Sequence, residues 1–212
     1  MGKRKRSYDA SRRRERALES QQRVLEAARR LFAERGYAET TMEAIAAEAG
    51  MALPTLYAAF QSKHGVLFRL LDRLVSGTPK GPLLDTPGAR AVRAERDARR
   101  ALTLFVADLD KVQTRAIPTY EVVKNAARTE PEVAKILERM QRYRFSNLEA
   151  LAAHLDELRA LRKGMSVVEA AWTLWALTSP EVRQMLLIHG GWPVERYHAW
   201  LEETLSAALL RA

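Results

Sequence analysis

GYAETTMEAIAAEAGMALPTLYAAFQSK, residues 36–63, decides how this chain is read. Before it, Val24, Leu25, Ala28, Leu31 and Phe32 recur at three- and four-residue spacing, the period of a helix with one apolar face. Gly36 ends that pattern, and a residue without a β-carbon suits the left-handed position that closes a helix. Thr40-Thr41-Met42-Glu43 has the spacing of a capping box, in which the Thr40 hydroxyl accepts from the Glu43 amide and the Glu43 side chain returns to the Thr40 amide. A short helix burying Met42, Ile45, Ala46 and Ala49 follows. Gly50 supplies a tight turn, and a second short helix covers 53–60. Two short helices joined at a glycine make a helix-turn-helix. Leu56 and Phe60 share a face with Ile45 and Phe32 and belong to the core of that unit. Ser62 caps a fourth helix whose apolar face is Val66, Leu67, Leu70, Leu71 and Leu74.

Beyond this stretch the chain reads as helical throughout, because alternating runs of β-branched residues are missing. Residues 76–88 hold Gly77, Pro79, Gly81, Pro82, Pro87 and Gly88, a density of helix breakers that predicts a flexible connection. A helix is expected over 97–115, interrupted at Pro118. Thr129-Glu130-Pro131-Glu132 predicts a second capping box with proline in the permissive first turn. The long helix behind it carries a stripe of Leu137, Met140, Leu148, Leu151, Leu155 and Leu158 and closes at Gly164. Ser166 with Glu169 predicts a third capping box, Ser179-Pro180 opens another helix that ends at Gly190-Gly191, and a last helix starts near Pro193. The fold class is therefore all-α. The expected organisation is a basic extension over 1–16, a helix-turn-helix domain over 17–62, a connecting helix and linker over 63–88, and a larger helical domain over 89–212.

Composition narrows the function classes. The 212 residues suffice for a substantial core, with 47% hydrophobic and 29% charged residues, and the chain has no cysteine, which excludes disulfides, thiolate metal sites and cysteine nucleophiles together. Residues 1–14 hold seven basic side chains against Asp9, +6 of the formal +9. No apolar stretch follows those charges as a secretory signal requires, and no apolar run reaches the ~20 residues of a spanning helix, so a cytoplasmic protein is expected. Lys3, Arg4, Lys5 and Arg6 run into the helix-turn-helix, where such charges release counterions from DNA phosphates or enter a minor groove.

The register across 36–63 resembles the TetR family of transcriptional regulators: Thr40-Thr41-Met42, Ile45-Ala46, Ala49-Gly50, Thr55-Leu56-Tyr57, Phe60 and Ser62-Lys63 all fall at the family's spacing. The resemblance implies that the second short helix enters a major groove with Leu53, Pro54, Thr55 and Tyr57 at its leading end. It implies that Thr55 and Tyr57 face DNA, and that Thr41 and Lys63 hold phosphates from the starts of their helices. The family often has Ser-x-Gly or Ser-x-Ala where Ala52-Leu53-Pro54 stands here, so Ala52 cannot cap by its side chain. The reading helix is unusually apolar, which turns base recognition toward thymine methyls, the N-terminal arm and DNA shape.

Further residues follow from the same resemblance. Thr178-Ser179-Pro180-Glu181-Val182, Gly191-Trp192, Tyr197 and Trp200-Leu201 look like the end of one TetR subgroup. The family pairs its last helices with those of a second copy as a four-helix bundle. Here that implies a homodimer through Val168 and Trp175 on one helix and Tyr197, Trp200, Leu201 and Leu205 on the other. A dimer places its reading helices ~34–36 Å apart on a palindromic operator, and a small molecule in the larger domain favours another spacing, with the fourth helix as lever. Repression is the direction the family implies. Phe105, Tyr120, Met140, Tyr143 and Trp172 are candidate pocket residues, being large and on the middle helices.

Two other classes compete. A helical-bundle enzyme with a dinuclear metal site needs two Glu-x-x-His motifs, and Glu195 with His198 supplies one, so both are expected to be surface groups. No catalytic or dinucleotide fingerprint is found, and no enzyme activity, metal or cofactor is expected. A nonspecific nucleic-acid-binding protein explains the basic start but not the 36–63 register.

Overall fold

The computed structural model describes the backbone of residues 3–76 and 86–211 and the side chains of 16–75 and 86–211. Ten helices follow in order among the described residues: α1 Lys3–Glu39, α2 Met42–Ala49, α3 Leu53–Phe60, α4 Lys63–Ser76, α5 Pro87–Ala94, α6 Ala98–Ala126, α7 Pro131–Glu157, α8 Val167–Leu177, α9 Pro180–Gln184, which continues as the π-helical turn Met185–His189, and α10 Val194–Leu209. The all-α expectation holds, with only an isolated antiparallel bridge between Leu161 and Leu210 among the described residues. Compact packing divides the chain into a first unit, Met1–Asp72 with Pro118–Ile136, and a second unit, Arg73–Ile117 with Leu137–Ala212. Helices α6 and α7 each contribute to both.

In the first unit the expected apolar positions are buried: Val24, Leu31 and Phe32 of α1, Ile45 and Ala49 of α2, Leu56 and Phe60 of α3, and Val66, Leu67 and Leu70 of α4. Val123, Ala126, Val133 and Ile136 of the later segment are buried as well. Each such aliphatic or aromatic side chain taken from water stabilises the fold by about 1.5–3 kcal/mol, and that burial holds these short helices, which would be unstable alone. The second core gathers Leu102 and Val106 of α6, Leu148, Leu151 and Leu155 of α7, Leu174 of α8, and Tyr197, Leu201, Leu205 and Leu209 of α10. His154 is buried there, and its Nε2 donates to the Glu95 carbonyl at 2.9 Å.

The helix ends revise several sequence expectations. Gly36 breaks α1 at φ 76°. The cap of α2 is Thr41, whose hydroxyl accepts from the Ala44 amide at 3.1 Å. Thr40 is fully buried instead, donating from its hydroxyl to the carbonyls of Gly36 at 2.7 Å and Leu31 at 3.2 Å. Those orphan carbonyls lie inside the fold and need a donor more than the exposed start of α2 does. Thr129 likewise turns back, to the Ala126 carbonyl at 3.5 Å, so the expected 129–132 capping box is replaced by a bond to the preceding helix. The third box is complete: Ser166 Oγ accepts from the Glu169 amide and Glu169 accepts from the Ser166 amide.

Proline also behaves differently from expectation at two places. Pro118 does not interrupt its helix, because α6 runs through it to Ala126. One backbone bond is forgone, and packing along 29 residues compensates. Pro87 and Gly88, counted among the linker breakers, are the first turn of α5, capped by Thr86, whose hydroxyl accepts from the Ala89 amide at 3.1 Å. Proline at the first helical position lacks an amide that would have had no partner there anyway. The rest of the expected linker, 77–85, lies outside the described residues.

Candidate nucleic-acid interface

The turn between α2 and α3 is built by the backbone. Gly50 sits at φ 62°, ψ 40°, and the amides of Gly50 and Met51 donate to Ala47 O at 3.2 Å and Ala46 O at 2.9 Å. This paired pattern closes a helix around one left-handed residue, and glycine takes that conformation without a β-carbon penalty. Helix α3 then starts at Leu53 with no side-chain cap from Ala52, and Pro54 in its first turn removes one amide that would otherwise lack a partner.

Leu56 and Phe60 point into the core, which leaves the opposite face to solvent. Pro54, Thr55, Ala58 and Ala59 are exposed, Leu53 is half-buried, and Tyr57 is 43% exposed, unusual for a large aromatic. Thr41 is exposed at the start of α2. This is a short, mostly apolar helix face fixed from behind by two large anchors, of a size that a major groove admits.

Lys63 takes a position that register alone did not show. Its Nζ donates to the carbonyls of Tyr37 at 2.8 Å and Ala38 at 3.2 Å and lies 4.2 Å from the centre of the Tyr37 ring. It ties the start of α4 to the end of α1. An ammonium has three donors, so a phosphate contact uses at most the one left over. Gly65 was missed by sequence reasoning: a β-carbon there would lie 2.1 Å from the Phe60 carbonyl, so only glycine lets α4 start this close to the end of α3. Ser62 caps α4 as expected, accepting from the Gly65 amide at 3.1 Å. The side chains of Lys3, Arg4, Lys5 and Arg6 lie outside the described residues.

Residues 24–70 match the family model described as bacterial regulatory proteins, tetR family. That match covers the helix-turn-helix and the start of the helix behind it. The chain is similar in fold to a transcriptional regulator from Saccharomonospora viridis solved in complex with choline, at TM-score 0.67 and 22% identity over 92% of this chain and 99% of that one. It is similar to NalD of Pseudomonas aeruginosa, the secondary repressor of the MexAB-OprM multidrug efflux pump, at TM-score 0.67 and 22% identity over 91% and 97% of the two chains. The transcriptional regulator FadR of Bacillus subtilis, solved with stearoyl-CoA, matches at TM-score 0.70 and 16% identity over 88% and 98%. No curated protein matches the chain by sequence.

The residues expected to line a pocket fall in both units. Tyr120 belongs to the first unit, whereas Phe105, Met140, Tyr143 and Trp172 belong to the second. Phe105 and Met140 are half-buried, Tyr143 is exposed, and Trp172 is 55% exposed, packed on Phe145 at 4.5 Å between ring centres.

The dimer expectation needs a correction on α10. Tyr197, Leu201 and Leu205 are buried in the protomer's own core, so that face is already covered and cannot meet a second copy. Trp200 is half-buried, with its ring centre 6.1 Å from that of Trp192, and Trp175 is half-buried under the Arg144 guanidinium at 4.0 Å. Val168 is exposed. Exposed with it are Trp172, one turn along α8, and Met185 and Ile188 of the π-helical turn, Ile188 at 70%. Helical period alone could not separate the two faces, since both carry large apolar residues.

Proposed function

We propose that this chain is a TetR-family repressor that binds a palindromic operator as a homodimer in the cytoplasm and releases it when a small molecule occupies the second unit. The exposed face of α3, with Thr55 and Tyr57 held outward over buried Leu56 and Phe60, carries the reading. In it, Leu53, Pro54 and Thr55 meet base edges, Tyr57 and Thr41 meet phosphate, and the Lys3 to Arg6 charges strengthen binding in a salt-dependent way. Lys63 sets the angle between α1 and α4 through its two carbonyl contacts. The division of labour is a reading head over 17–62, a connecting segment over 63–88 and a sensing and dimerising portion over 89–212. The protein needs no cofactor and is not an enzyme. Among the described residues no helix is long and apolar enough to cross a membrane.

Val168 and Trp172, one turn apart on α8, and Met185 and Ile188 of the π-helical turn support the dimer, because large apolar side chains left exposed mark association sites. Capture of genomic DNA fragments on the purified protein at near-physiological salt, followed by sequencing, tests the reading. A recurrent palindromic site, bound two protomers at a time and lost in a Thr55→Ala, Tyr57→Ala double variant, is expected. Uniform binding across sequences that ignores the double variant would make the protein a nonspecific nucleic-acid binder instead.

A further inference from the structure

By sequence, the basic start of the chain suits either DNA phosphates or a minor groove. Its backbone is helical: α1 begins at Lys3 and is first broken at Gly36. Side chains from Arg16 to Arg23 are exposed or half-buried, and Val24 is the first buried one among those described. The helix from Lys3 to Arg23 thus precedes every side chain that anchors α1, and it rises about 30 Å at roughly 1.5 Å per residue. An α-helix with its side chains is ~10–12 Å across and a minor groove ~6 Å wide, so a segment of this form does not enter a minor groove.

The rest of α1 fixes this segment to the reading head. Val24, Leu25, Ala28, Leu31 and Phe32 are buried, Thr40 bonds back to the Leu31 and Gly36 carbonyls, and Arg30 pairs with Glu48 of α2 at 2.8 Å. That packed part supplies the costly helix nucleus, and lengthening an existing helix with Arg, Lys, Gln, Glu and Ala is cheap. Between Lys3 and Arg23 nine basic residues stand against Asp9, Glu15 and Glu19. Lys3 to Arg6 and Arg12 to Arg14 are consecutive runs, so the charge keeps to no one helical register, and no apolar stripe recurs at helical spacing. Without such a stripe the segment suits neither a membrane surface nor the apolar groove of a protein partner. Cations at every register suit a groove with phosphate along both walls, and the major groove of duplex DNA, ~12 Å wide, admits a helix.

We propose that the Lys3 to Arg23 segment of α1 seats in the major groove of the duplex flanking the operator, held by phosphates rather than bases, and lengthens the contact by up to about one DNA turn, ~34 Å, at each end. The two segments of a dimer run away from the operator's centre, because turned inward they would set two strongly cationic helices against each other. The proposal rests on the DNA-binding reading above and deepens it: the charge that binds reaches Arg23 instead of ending at Arg6, and it is carried on a helix whose direction the packed part of α1 fixes.

Titrations of the full chain with two duplexes test this, one ending at the palindrome and one extended by about one DNA turn at each end. Extension should tighten binding at least about tenfold and steepen the fall of log K with log salt by about 0.9 for each phosphate engaged. A combined Arg12→Gln, Arg13→Gln, Arg14→Gln, Arg16→Gln variant keeps good helix formers and removes charge. Ala17→Pro keeps every charge and ends the helix at an exposed position ahead of the buried part of α1. Both variants should bind the short duplex as the parent does and lose most of the gain from extension. Equal binding of the two duplexes by the parent overturns the proposal, and so does a gain that survives the glutamine variant. A gain that survives Ala17→Pro also overturns it, because a flexible charged tail would then suffice. A scrambled core of the same length tests the regulator reading separately: equal binding to it sinks that reading, while the phosphate-borne gain is still read from the two lengths and the two variants with either core.

Discussion

Replacing Lys63 by methionine keeps the aliphatic stem and removes only the ammonium that bonds Tyr37 O and Ala38 O. Hydrogen bonds from a charged donor are worth about 1.5–3 kcal/mol, and partial exposure puts this site at the low end, so Lys63→Met should lower unfolding free energy by about 1–2 kcal/mol in denaturant titrations. A role confined to phosphate would leave the free protein's stability unchanged. Tyr37 and Tyr197 make a second residue-scale case. Both phenols are pushed up to about 12 from the ordinary 10.0, by burial first in each, with Glu130 adding to it at Tyr37 and Asp110 at Tyr197, where Arg183 opposes. A raised folded-state pKa favours the neutral form in the fold, so this stability is fully present below pH 10 and is lost as pH rises from about 10 toward 12. A tenfold change in a group's proton affinity between the unfolded and folded chain corresponds to about 1.4 kcal/mol. Unfolding measured at pH 9 and pH 11.5 should show a steep alkaline loss that shrinks in Tyr37→Phe and in Tyr197→Phe; an unchanged slope in both would place the loss elsewhere.

At the scale of elements, caps decide where helices start. Ser166 and Glu169 satisfy each other's amides at the start of α8, and Glu169 is held below the usual carboxylate range by the Ser166 amide first and its hydroxyl second. Its depressed pKa means that the cap contributes fully above the ordinary Glu value and weakens as pH falls through the folded one. Ser166→Ala should cost about 1 kcal/mol at neutral pH, and less in acid, by the same titration. An equal loss at both pH values would deny the carboxylate its part. The first two expected boxes failed for a common reason. Thr40 and Thr129 each had a competing carbonyl from the preceding helix, and a buried or tightly turned chain gives that carbonyl the first claim on the hydroxyl.

At the scale of the molecule, the correction on α10 has a direct consequence. Leu201 is fully buried, whereas Trp172 and Ile188 are exposed on the same unit. Trp172→Glu should therefore give a folded monomer with weakened operator binding, while Leu201→Glu should fail to fold, because it buries a charge with no partner. Sedimentation velocity and circular dichroism separate these outcomes. A dimeric Trp172→Glu protein would move the association surface off α8.

The sequence by itself determined the helical class, the helix-turn-helix, its glycine turn at Gly50 and the inward anchors Leu56 and Phe60. Those features rest on period, turn chemistry and local capping, which involve residues within a few positions of one another. Only the tertiary structure decided what distant residues compete for. Lys63 goes to carbonyls 25 and 26 residues earlier, and Gln113 reaches Thr178 across 65 residues. Tyr197 and Leu201 turn inward although their helix offers two plausible faces. Such contacts depend on which groups the folded chain deprives of water, and no spacing within a single helix records that.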